Sequence, residues 1–442
     1  FLLNADNIGL GEEFTYGVLA HEFQHMIHWY RDRNEESWLN EGFSELASFL
    51  NNYDPGGFDM VFMSDPDLQL NDWPNDPSAT GPHYGAGFMF VTYFLDRLGE
   101  EATRMLVAHP DNGLDSVDTV LTELGKVDSL TGEPMTADGL FRDWTVANYL
   151  RDGDVADGRY TYHNYKNAPQ VYSFERFSTC PTGEQNGTVS QYGTDYFVLT
   201  CQGDVTLKFE GTTEVCVLPE QPYSGKYAFW SNKGDESDMT LTQKFDFSGV
   251  SGDLKMSFRT WYDLEKDYDY LYLLASKDDG QSWEIVNTPS GTDQDPSGNS
   301  YGWAYNGVTN GWIEETVDLS AYAGQTVTLR FEYVTDAAVN GEGFLLDDVS
   351  IPAIQYFSDF ETDNGGWESA GWARIQNRLP QTFLLTLIEV GGTTTVVPVT
   401  LDETLSAEIP LSFSSGTKEV VIVVSGTTRF TRQPASYRFS VE

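Results

Sequence analysis

Positive charge is scarce in this chain of 442 residues. Lysine and arginine number 25 against 68 aspartates and glutamates, which gives a formal net charge of −43 at pH 7. Such a field repels phosphate backbones and anionic lipids, so the composition argues against nucleic acid and anionic membranes as partners. The acidic residues are dispersed among aromatics and glycines, which favours folded surfaces that tolerate salt or calcium.

Long apolar runs are also missing. No run of about 18 apolar residues occurs, so we predict no transmembrane segment. The chain begins at Phe1 without a methionine or a recognisable signal peptide, which suggests a fragment or a processed form. Aromatics at 14% and 41 glycines are typical of β-rich extracellular proteins with many turns. From this composition we expect an extracellular protein, either secreted or on the cell surface.

Cysteine is rare, and its three copies fall in one short stretch. Cys180 and Cys201 could bridge a β-hairpin and leave Cys216 outside the bridge, although other pairings stay open. None of the three lies near the histidines in sequence, so we do not expect a cysteine ligand to a metal.

The hydrophobic pattern changes along the chain, and the length suits about two to four domains. We predict a multidomain α+β protein: a mainly helical domain over 1–168, a small β segment over 169–218, a jelly-roll β-sandwich over 219–352 and a C-terminal β-domain over 353–442. The helices are expected over 13–31, 37–50, 85–98, 100–109, 114–124 and 137–151, with Ser37 as an N-cap. A loop is expected over 51–82. The strands are expected over 194–199, 205–209, 239–245, 254–262, 268–277, 326–335, 344–351 and 419–424.

Two of the six histidines flank a glutamate in the first predicted helix. His21 and His25 are four residues apart, so their imidazoles lie on one helix face and can reach one metal ion. Glu22 lies beside the first ligand and can act as the general base towards a water at the metal. An apolar stripe in the same helix predicts that it packs into a core: Phe14, Val18, Leu19, Phe23, Met26 and Ile27. We interpret the motif as a catalytic zinc site.

The third ligand is expected from the second predicted helix. Glu41 can complete the site, and Glu45, one turn later, can hold a ligating imidazole from outside the metal shell. The reverse assignment, with Glu45 as the ligand, stays open. His28 is interpreted as a residue that supports a metal ligand from outside the metal's own ligands or packs in the core, because three successive ligands on one straight helix surround a tetrahedral ion poorly.

Two further sites follow from residue type alone. Tyr84, preceded by His83, begins a predicted helix and could stabilise an oxyanion, although an ordinary aromatic at a helix start is an equal alternative. Acidic residues near an early and a late strand of the sandwich could form a calcium site if those strands pair: Asp235, Glu236, Asp238, Asp347 and Asp348. Solvated acids in turns are the alternative.

The segment from His21 to His25, followed by Trp38–Leu39–Asn40–Glu41–Gly42–Phe43, resembles the gluzincin metallopeptidases, such as the thermolysin-like and aminopeptidase families. This resemblance implies a zincin-type catalytic domain, with Glu41 as the third zinc ligand and Glu45 in the second shell. Fifteen residues separate His25 from Glu41, somewhat fewer than in those families. A zincin fold also places a β-sheet before the metal helix, so we expect that an upstream subdomain is missing.

The second half of the chain resembles another group. Residues 223–235, 261–263, 336–344 and 346–348 are similar to the β-domains of secreted immune inhibitor A-like bacterial metallopeptidases. That resemblance covers about 219–380 and implies calcium binding. The zinc motif of those peptidases continues with a glycine and a third histidine, which this chain lacks.

The sequence therefore predicts a secreted zinc endopeptidase that acts on protein or peptide substrates, with zinc and calcium as its ions. An alternative from another class is a cell-surface or glycan-binding β-sandwich with a vestigial metal site. Its sugar-stacking residues would be Trp303, Tyr305 and Trp312. An aminopeptidase is a weaker third option, because nothing evident captures a substrate amine.

Overall fold

A computed structural model describes residues 9, 11–53, 56–74, 76–337, 339–413 and 416–442. The chain divides into two compact units, of which the first combines residues 1–215 with 379–442 and the second comprises 216–378. Among the helices in these described ranges, none has the length and apolarity that crossing a bilayer requires.

Six α-helices occur in the described part of the first unit: α1 Glu13–Arg31, α2 Ser37–Leu50, α3 Phe58–Ser64, α4 Gly81–Leu106, α5 Gly113–Glu123 and α6 Ala137–Leu150. The bounds of α1 and α2 agree with the prediction. The predicted loop over 51–82 contains α3, and two predicted helices are merged in α4 across Gly99, whose φ of 84° is non-helical. Ser37 is the first residue of α2, so the N-cap position belongs to Glu36.

The packing of α1 differs from the prediction. Phe14, Phe23 and Met26 are exposed by 72%, 61% and 56%, whereas the buried residues of α1 are Thr15, Gly17 and His28. The face of α1 that meets α2 is small and polar. A Cβ on Gly17 would lie 3.2 Å from the Cβ of Tyr53. The predicted apolar stripe is therefore not the buried face, and polar groups dominate the contact between α1 and α2.

Two glycines let α2 pack closely against α4. A Cβ on Gly42 would lie 2.8 Å from the backbone of Gly87, and a Cβ on Gly87 would lie 2.5 Å from the carbonyl oxygen of Trp38. These distances are shorter than real Cβ contacts, so both positions exclude larger side chains. Trp38, Leu39 and other apolar residues of α2 are buried in the helical core. This packing fixes the position of α2, which carries Glu41.

The strands in the described residues are numbered in chain order: β1 Glu175–Phe177, β2 Gln185–Val189, β3 Asp195–Leu199, β4 Asp204–Gly211, β5 Glu214–Val215, β6 Ala228–Trp230, β7 Asp238–Asp246, β8 Lys255–Asp263, β9 Tyr270–Ser276, β10 Glu284–Ile285, β11 Ile313–Asp318, β12 Thr326–Val334, β13 Gly343–Ile351, β14 Tyr356–Ser358, β15 Glu368–Ala370, β16 Ala373–Ile375, β17 Leu379–Pro380, β18 Phe383–Val390, β19 Thr395–Val399, β20 Ser406–Ser412, β21 Glu419–Gly426 and β22 Ala435–Val441. The predicted strands all fall within this set.

The first unit stacks its helices on two sheets. One sheet has the order β1-β3-β21-β18-β19 and the other the order β2-β22-β4-β20. Because side chains alternate along a strand, Tyr196 and Val198 of β3 pack into the helical core while Phe197 and Leu199 pack against the second sheet. The continuous apolar run over 420–424 is explained by this arrangement, since β21 is covered on both faces.

This arrangement departs from the predicted division into four parts. Strands from 175–215 and from 379–441 share both sheets, so the small β segment and the end of the chain form one structure. Residues 353–378 belong to the second unit instead, through β14, β15 and β16. A disulfide joins Cys180 to Cys201 with a Cα–Cα distance of 5.6 Å, and Cys216 lies outside it.

The second unit is a pair of β-sheets around an aromatic core. One sheet has the order β10-β9-β12-β7-β15, and the other has the order β11-β8-β13-β6-β16 with β14 beside β13. Phe258 of β8 and Phe331 of β12 meet edge to face at 5.3 Å between ring centroids, which places the core between the sheets. Helices followed by β-sheets agree with the predicted α+β class.

Candidate metal centre

Three side chains from α1 and α2 converge on one point. His21 Nε2 lies 3.0 Å from His25 Nε2 and 3.1 Å from Glu41 Oε2, and His25 Nε2 lies 3.3 Å from the same oxygen. The side chains are partly accessible, with exposed fractions of 15%, 26% and 21% for His21, His25 and Glu41. These are the three residues for which the sequence predicted a zinc site.

The three donor atoms fit a tetrahedral zinc ion. Zinc–nitrogen and zinc–oxygen bonds of about 2.0–2.1 Å give tetrahedron edges of about 3.3–3.4 Å, close to the three distances observed. Glu41 Oε2 is buried and has no partner with hydrogen-bond geometry in the described part of the chain. An oxygen held in this way suits a shared cation better than a hydrogen-bond network.

Neighbouring groups orient both imidazoles. His21 Nδ1 lies 3.0 Å from Glu45 Oε1, and His25 Nδ1 lies 2.8 Å from Asn40 Oδ1. Because a carboxylate or amide oxygen accepts a hydrogen bond, each Nδ1 carries the proton and each Nε2 keeps its lone pair for a metal. Ser44 Oγ lies 3.1 Å from His25 Nδ1 as well. Glu45 was predicted in this role, but Asn40 and Ser44 were not. The signal for Asn40 was its position directly before Glu41 in the Asn-Glu pair.

The cluster carries a strong negative field. Burial alone would lower the pKa of His21, but the adjacent carboxylates of Glu41 and Glu45 outweigh it and raise that pKa to about 9. Burial would raise the pKa of Glu41, but the two imidazoles outweigh it and lower that pKa to about 2. In the metal-free chain this field holds a second proton on His21, at Nε2, at neutral pH, and a field of this sign also attracts divalent cations, which compete with that proton.

Tyr84, at the start of α4, lies beside the cluster. Its ring centroid is 6.2 Å from that of His21. Burial, together with the charges of Glu41, Glu45 and Glu22, raises the pKa of its phenol, so the phenol stays protonated and can donate a hydrogen bond. His83 is directed elsewhere, since its Nδ1 lies 2.9 Å from the carbonyl oxygen of Asp72.

The five acids predicted to bind calcium do not form one group. Asp235, Glu236 and Asp238 lie at the start of β7, whereas Asp347 and Asp348 lie on β13 in the other sheet, so the expected strand pairing is wrong. The Asp347 carboxylate accepts backbone N–H groups of Ser224 and Asp348 at 3.0 and 2.8 Å. Glu236 and Asp238 are exposed.

A different acidic group in the second unit has metal-ligand spacing. Carboxylate oxygens of Glu265, Asp269 and Asp336 lie within 4.8 Å of one another. Burial and the neighbouring acids, including Asp235, raise the pKa of Glu265 to about 8 and that of Asp269 to about 7. Glu265 and Asp269 lie in the loop between β8 and β9, and Asp336 lies in the loop between β12 and β13. None of the three was predicted as a ligand, and only the nearby Asp235 belongs to the predicted set.

The aromatic residues proposed for sugar stacking are not an exposed platform. Tyr305 is fully buried and its hydroxyl donates to Glu315 Oε2 at 3.1 Å, so its assignment as an exposed residue is wrong. Trp303 and Trp312 are half-buried, and their indole N–H groups donate to the carbonyl oxygens of Thr288 and Gln221.

Comparison with known proteins covers the β-rich part of the chain. Residues 203–375 match the family model for the immune inhibitor A-like MAM domain, which confirms the resemblance expected for that stretch. The family match covers less than half of the chain and does not include the His21–Glu41 cluster.

Three curated relatives match shorter stretches. Pre-pro-metalloprotease PrtV of Vibrio cholerae is 32% identical over 131 residues, which are 30% of this chain and 14% of that protein. Immune inhibitor A of Bacillus thuringiensis is 36% identical over 133 residues, 30% of this chain and 18% of its own length. Bacillopeptidase F of Bacillus subtilis is 30% identical over 118 residues, 27% of this chain and 7% of its own length. The chain thus spans less than a fifth of each of these relatives.

A solved structure, "Structure of infectious bursal disease virus Gx strain", aligns at a TM-score of 0.09 and 8% identity over 59% of this chain and 40% of that one. A likeness at this level carries no argument about the fold. Residues 203–375 are thus similar to the immune inhibitor A-like MAM domain, while the interpretation of the helical part depends on its geometry alone.

Proposed function

We propose that the chain is a zinc-dependent endopeptidase that acts outside the cell on protein or peptide substrates. The observation that carries the proposal is the set of three donor atoms on His21, His25 and Glu41, spaced 3.0–3.3 Å apart. One of the relatives, PrtV of Vibrio cholerae, is named a metalloprotease, which supports the same class of reaction.

His21, His25 and Glu41 would hold the zinc ion. Zinc, when bound, polarises the peptide carbonyl and lowers the pKa of an attacking water. Glu22 accepts the proton of that water and passes it to the leaving amine, a role that suits a carboxylate next to the first ligand. Glu45 and Asn40 keep the imidazoles in the tautomer that presents Nε2.

Tyr84 stabilises the negative charge that develops on the carbonyl oxygen. Its phenol is protonated and lies next to His21. A hydrogen bond that forms only as charge develops lowers the barrier more than it strengthens substrate binding. Loss of this hydroxyl in Tyr84→Phe should therefore lower kcat more than it raises KM.

Calcium is proposed for the second unit, at Glu265, Asp269 and Asp336. Three carboxylates within 4.8 Å of one another repel each other unless protonated or bridged by a cation. Oxygen-only ligands are the kind that calcium prefers. Bound calcium would stabilise the β-sheets of this unit and take no part in peptide hydrolysis.

The activity is tested by casein cleavage with the zinc-loaded chain and its Glu22→Gln variant. We expect cleavage by the parent, a loss of about 10²- to 10⁴-fold in kcat/KM for Glu22→Gln, and the same zinc content in both. Glu13→Gln, an exposed change on the same helix, is the matched control and should cleave like the parent. No cleavage by zinc-loaded parent, or unchanged cleavage by Glu22→Gln, would contradict the proposal.

A further inference from the structure

A second cluster of metal-ligating side chains lies at the end of α1. Ligand atoms of His28, Asp32 and Glu35 lie within 4.8 Å of one another. All three residues are buried, with exposed fractions of 0%, 9% and 7%. They stand apart from the His21–Glu41 cluster described above.

The polar atoms of this cluster lack partners. In the described part of the chain, no hydrogen bond is made by either ring nitrogen of His28, by Asp32 Oδ2 or by Glu35 Oε2. Leaving one buried polar atom without a partner costs about 1–3 kcal/mol. The two nitrogens of one imidazole point in different directions, so one ion can take a single nitrogen of His28 together with one oxygen from each carboxylate. Without such a common partner the fold is penalised at each of these atoms.

Backbone hydrogen bonds orient the carboxylates of Asp32 and Glu35, and one oxygen of each has no hydrogen-bond partner in the described part of the chain. Glu35 Oε1 accepts the backbone N–H groups of Glu36 and Gly113, both at 2.7 Å, while Oε2 stays unpartnered. Backbone N–H groups of Arg33 and Asn34 likewise contact the Asp32 carboxylate, while its Oδ2 stays unpartnered. Fixed carboxylates of this kind are the outer-shell arrangement that positions metal ligands.

The three side chains do not satisfy one another. Their ligand atoms lie within 4.8 Å of one another, a grouping that could hold a metal ion, yet no hydrogen bond is made by the unpartnered atoms among them. One imidazole and two carboxylates form a donor set that suits zinc and similar first-row divalent ions, whereas calcium prefers oxygen donors alone.

We propose that His28, Asp32 and Glu35 form a second, structural binding site for a divalent transition-metal ion. The ion joins the last turn of α1 to the segment before α2, and Glu35 connects this segment to the start of α5 through Gly113. It thereby holds the α1–α2 connection that places Glu41 opposite His21. Because its ligands are buried, the site is closed to substrates and stabilises the fold.

The test is the zinc content of the full chain, stripped with a chelator, reloaded with zinc in the presence of millimolar calcium, and desalted before elemental analysis. Glu41→Gln disables the first cluster and leaves the buried one intact. We expect this variant to retain one zinc equivalent per chain, and chelation of that zinc to lower its Tm by about 5 °C or more. A Glu41→Gln chain that retains no zinc would overturn the proposal.

The reciprocal variant assigns the remaining zinc to its ligands. In the Glu41→Gln background, Glu35→Gln keeps the shape of the side chain and should remove the last equivalent, whereas the exposed Asp111→Asn should not. Retention of zinc by the Glu41→Gln/Glu35→Gln chain would also overturn the proposal. A different result would contradict the proposed catalytic site. If Glu41→Gln binds as much zinc as the parent chain, Glu41 is not a zinc ligand.

Discussion

Two clusters of histidine and carboxylate take their histidines from α1, and they differ in access to solvent. His21 and His25 meet Glu41 at 3.0–3.3 Å with partly exposed side chains. One turn further on, His28 is fully buried between Asp32 and Glu35 without a hydrogen bond to either. The same residue types thus form an accessible site that suits catalysis and a closed site that suits stabilisation of the fold. The difference between the two sites is the burial of their side chains.

The first prediction is that the pKa values of His21 and His28 differ widely in the metal-free chain. The pKa of His21 is raised to about 9, whereas burial and then the charge of His25 lower that of His28 to about 4. We therefore expect proton affinities that differ by about 10⁵-fold on one helix. Histidine ring NMR measures both midpoints, and His28→Phe assigns the buried signal. Midpoints within one pH unit of each other would contradict the difference in environment.

These shifts also give opposite effects on stability. The pKa of His21 is higher in the folded than in the unfolded chain, so its contribution is present below about pH 6.5 and is lost as the pH rises through about 9. The pKa of His28 is lower in the folded chain, so protonation destabilises the metal-free fold as the pH falls from about 6.5 towards 4.

The second prediction compares two substitutions at the partly exposed cluster of His21, His25 and Glu41, here called the open cluster. Glu41→Gln removes a zinc ligand and should weaken zinc binding at that site by about 10³-fold or more, whereas Glu45→Gln removes only the partner of His21 Nδ1 and should weaken it by about 10- to 100-fold. Competition with a coloured chelator measures both affinities. A larger loss in Glu45→Gln would exchange the two roles.

The third prediction concerns the packing beneath the open cluster. Gly42→Ala places a Cβ 2.8 Å from the backbone of Gly87, so α2 must shift away from α4. We expect the free energy of unfolding to fall by about 1–3 kcal/mol, with weaker zinc binding because Glu41 moves with α2. Denaturant unfolding measures the change. Ala47→Gly, on the same helix, loses about 1 kcal/mol from propensity alone and should keep its zinc affinity.

Much of the fold could be predicted from local patterns. The apolar pattern of α1 and Ser37 at the start of α2 led to the bounds of these helices. Alternating or continuous apolar runs located β3, β4, β7, β8, β9, β12, β13 and β21. The exposed face of α1 could not be predicted in this way, because an apolar stripe shows that a face can be buried and not whether a partner covers it. The segment containing α3 looked like a loop because Asp, Asn and Pro are frequent around it.

The open cluster was predictable because His21 and His25 have the helical spacing of two ligands around a glutamate, and because the resemblance to gluzincins indicated Glu41 as the third ligand. The buried cluster was not, since Asp32 and Glu35 follow the end of α1 and their burial depends on α5 through Gly113. The acidic group in the second unit was missed for a similar reason. Glu265 and Asp269 share the loop between β8 and β9, but Asp336 joins them only through long-range folding.

Anomalous X-ray scattering at the zinc edge, from crystals of the zinc-loaded chain, locates the metal relative to its proposed ligands. We predict a peak within bonding distance of Nε2 of His21, Nε2 of His25 and Oε2 of Glu41. Full zinc loading without a peak among these three atoms would contradict the assignment of this cluster as the catalytic metal centre.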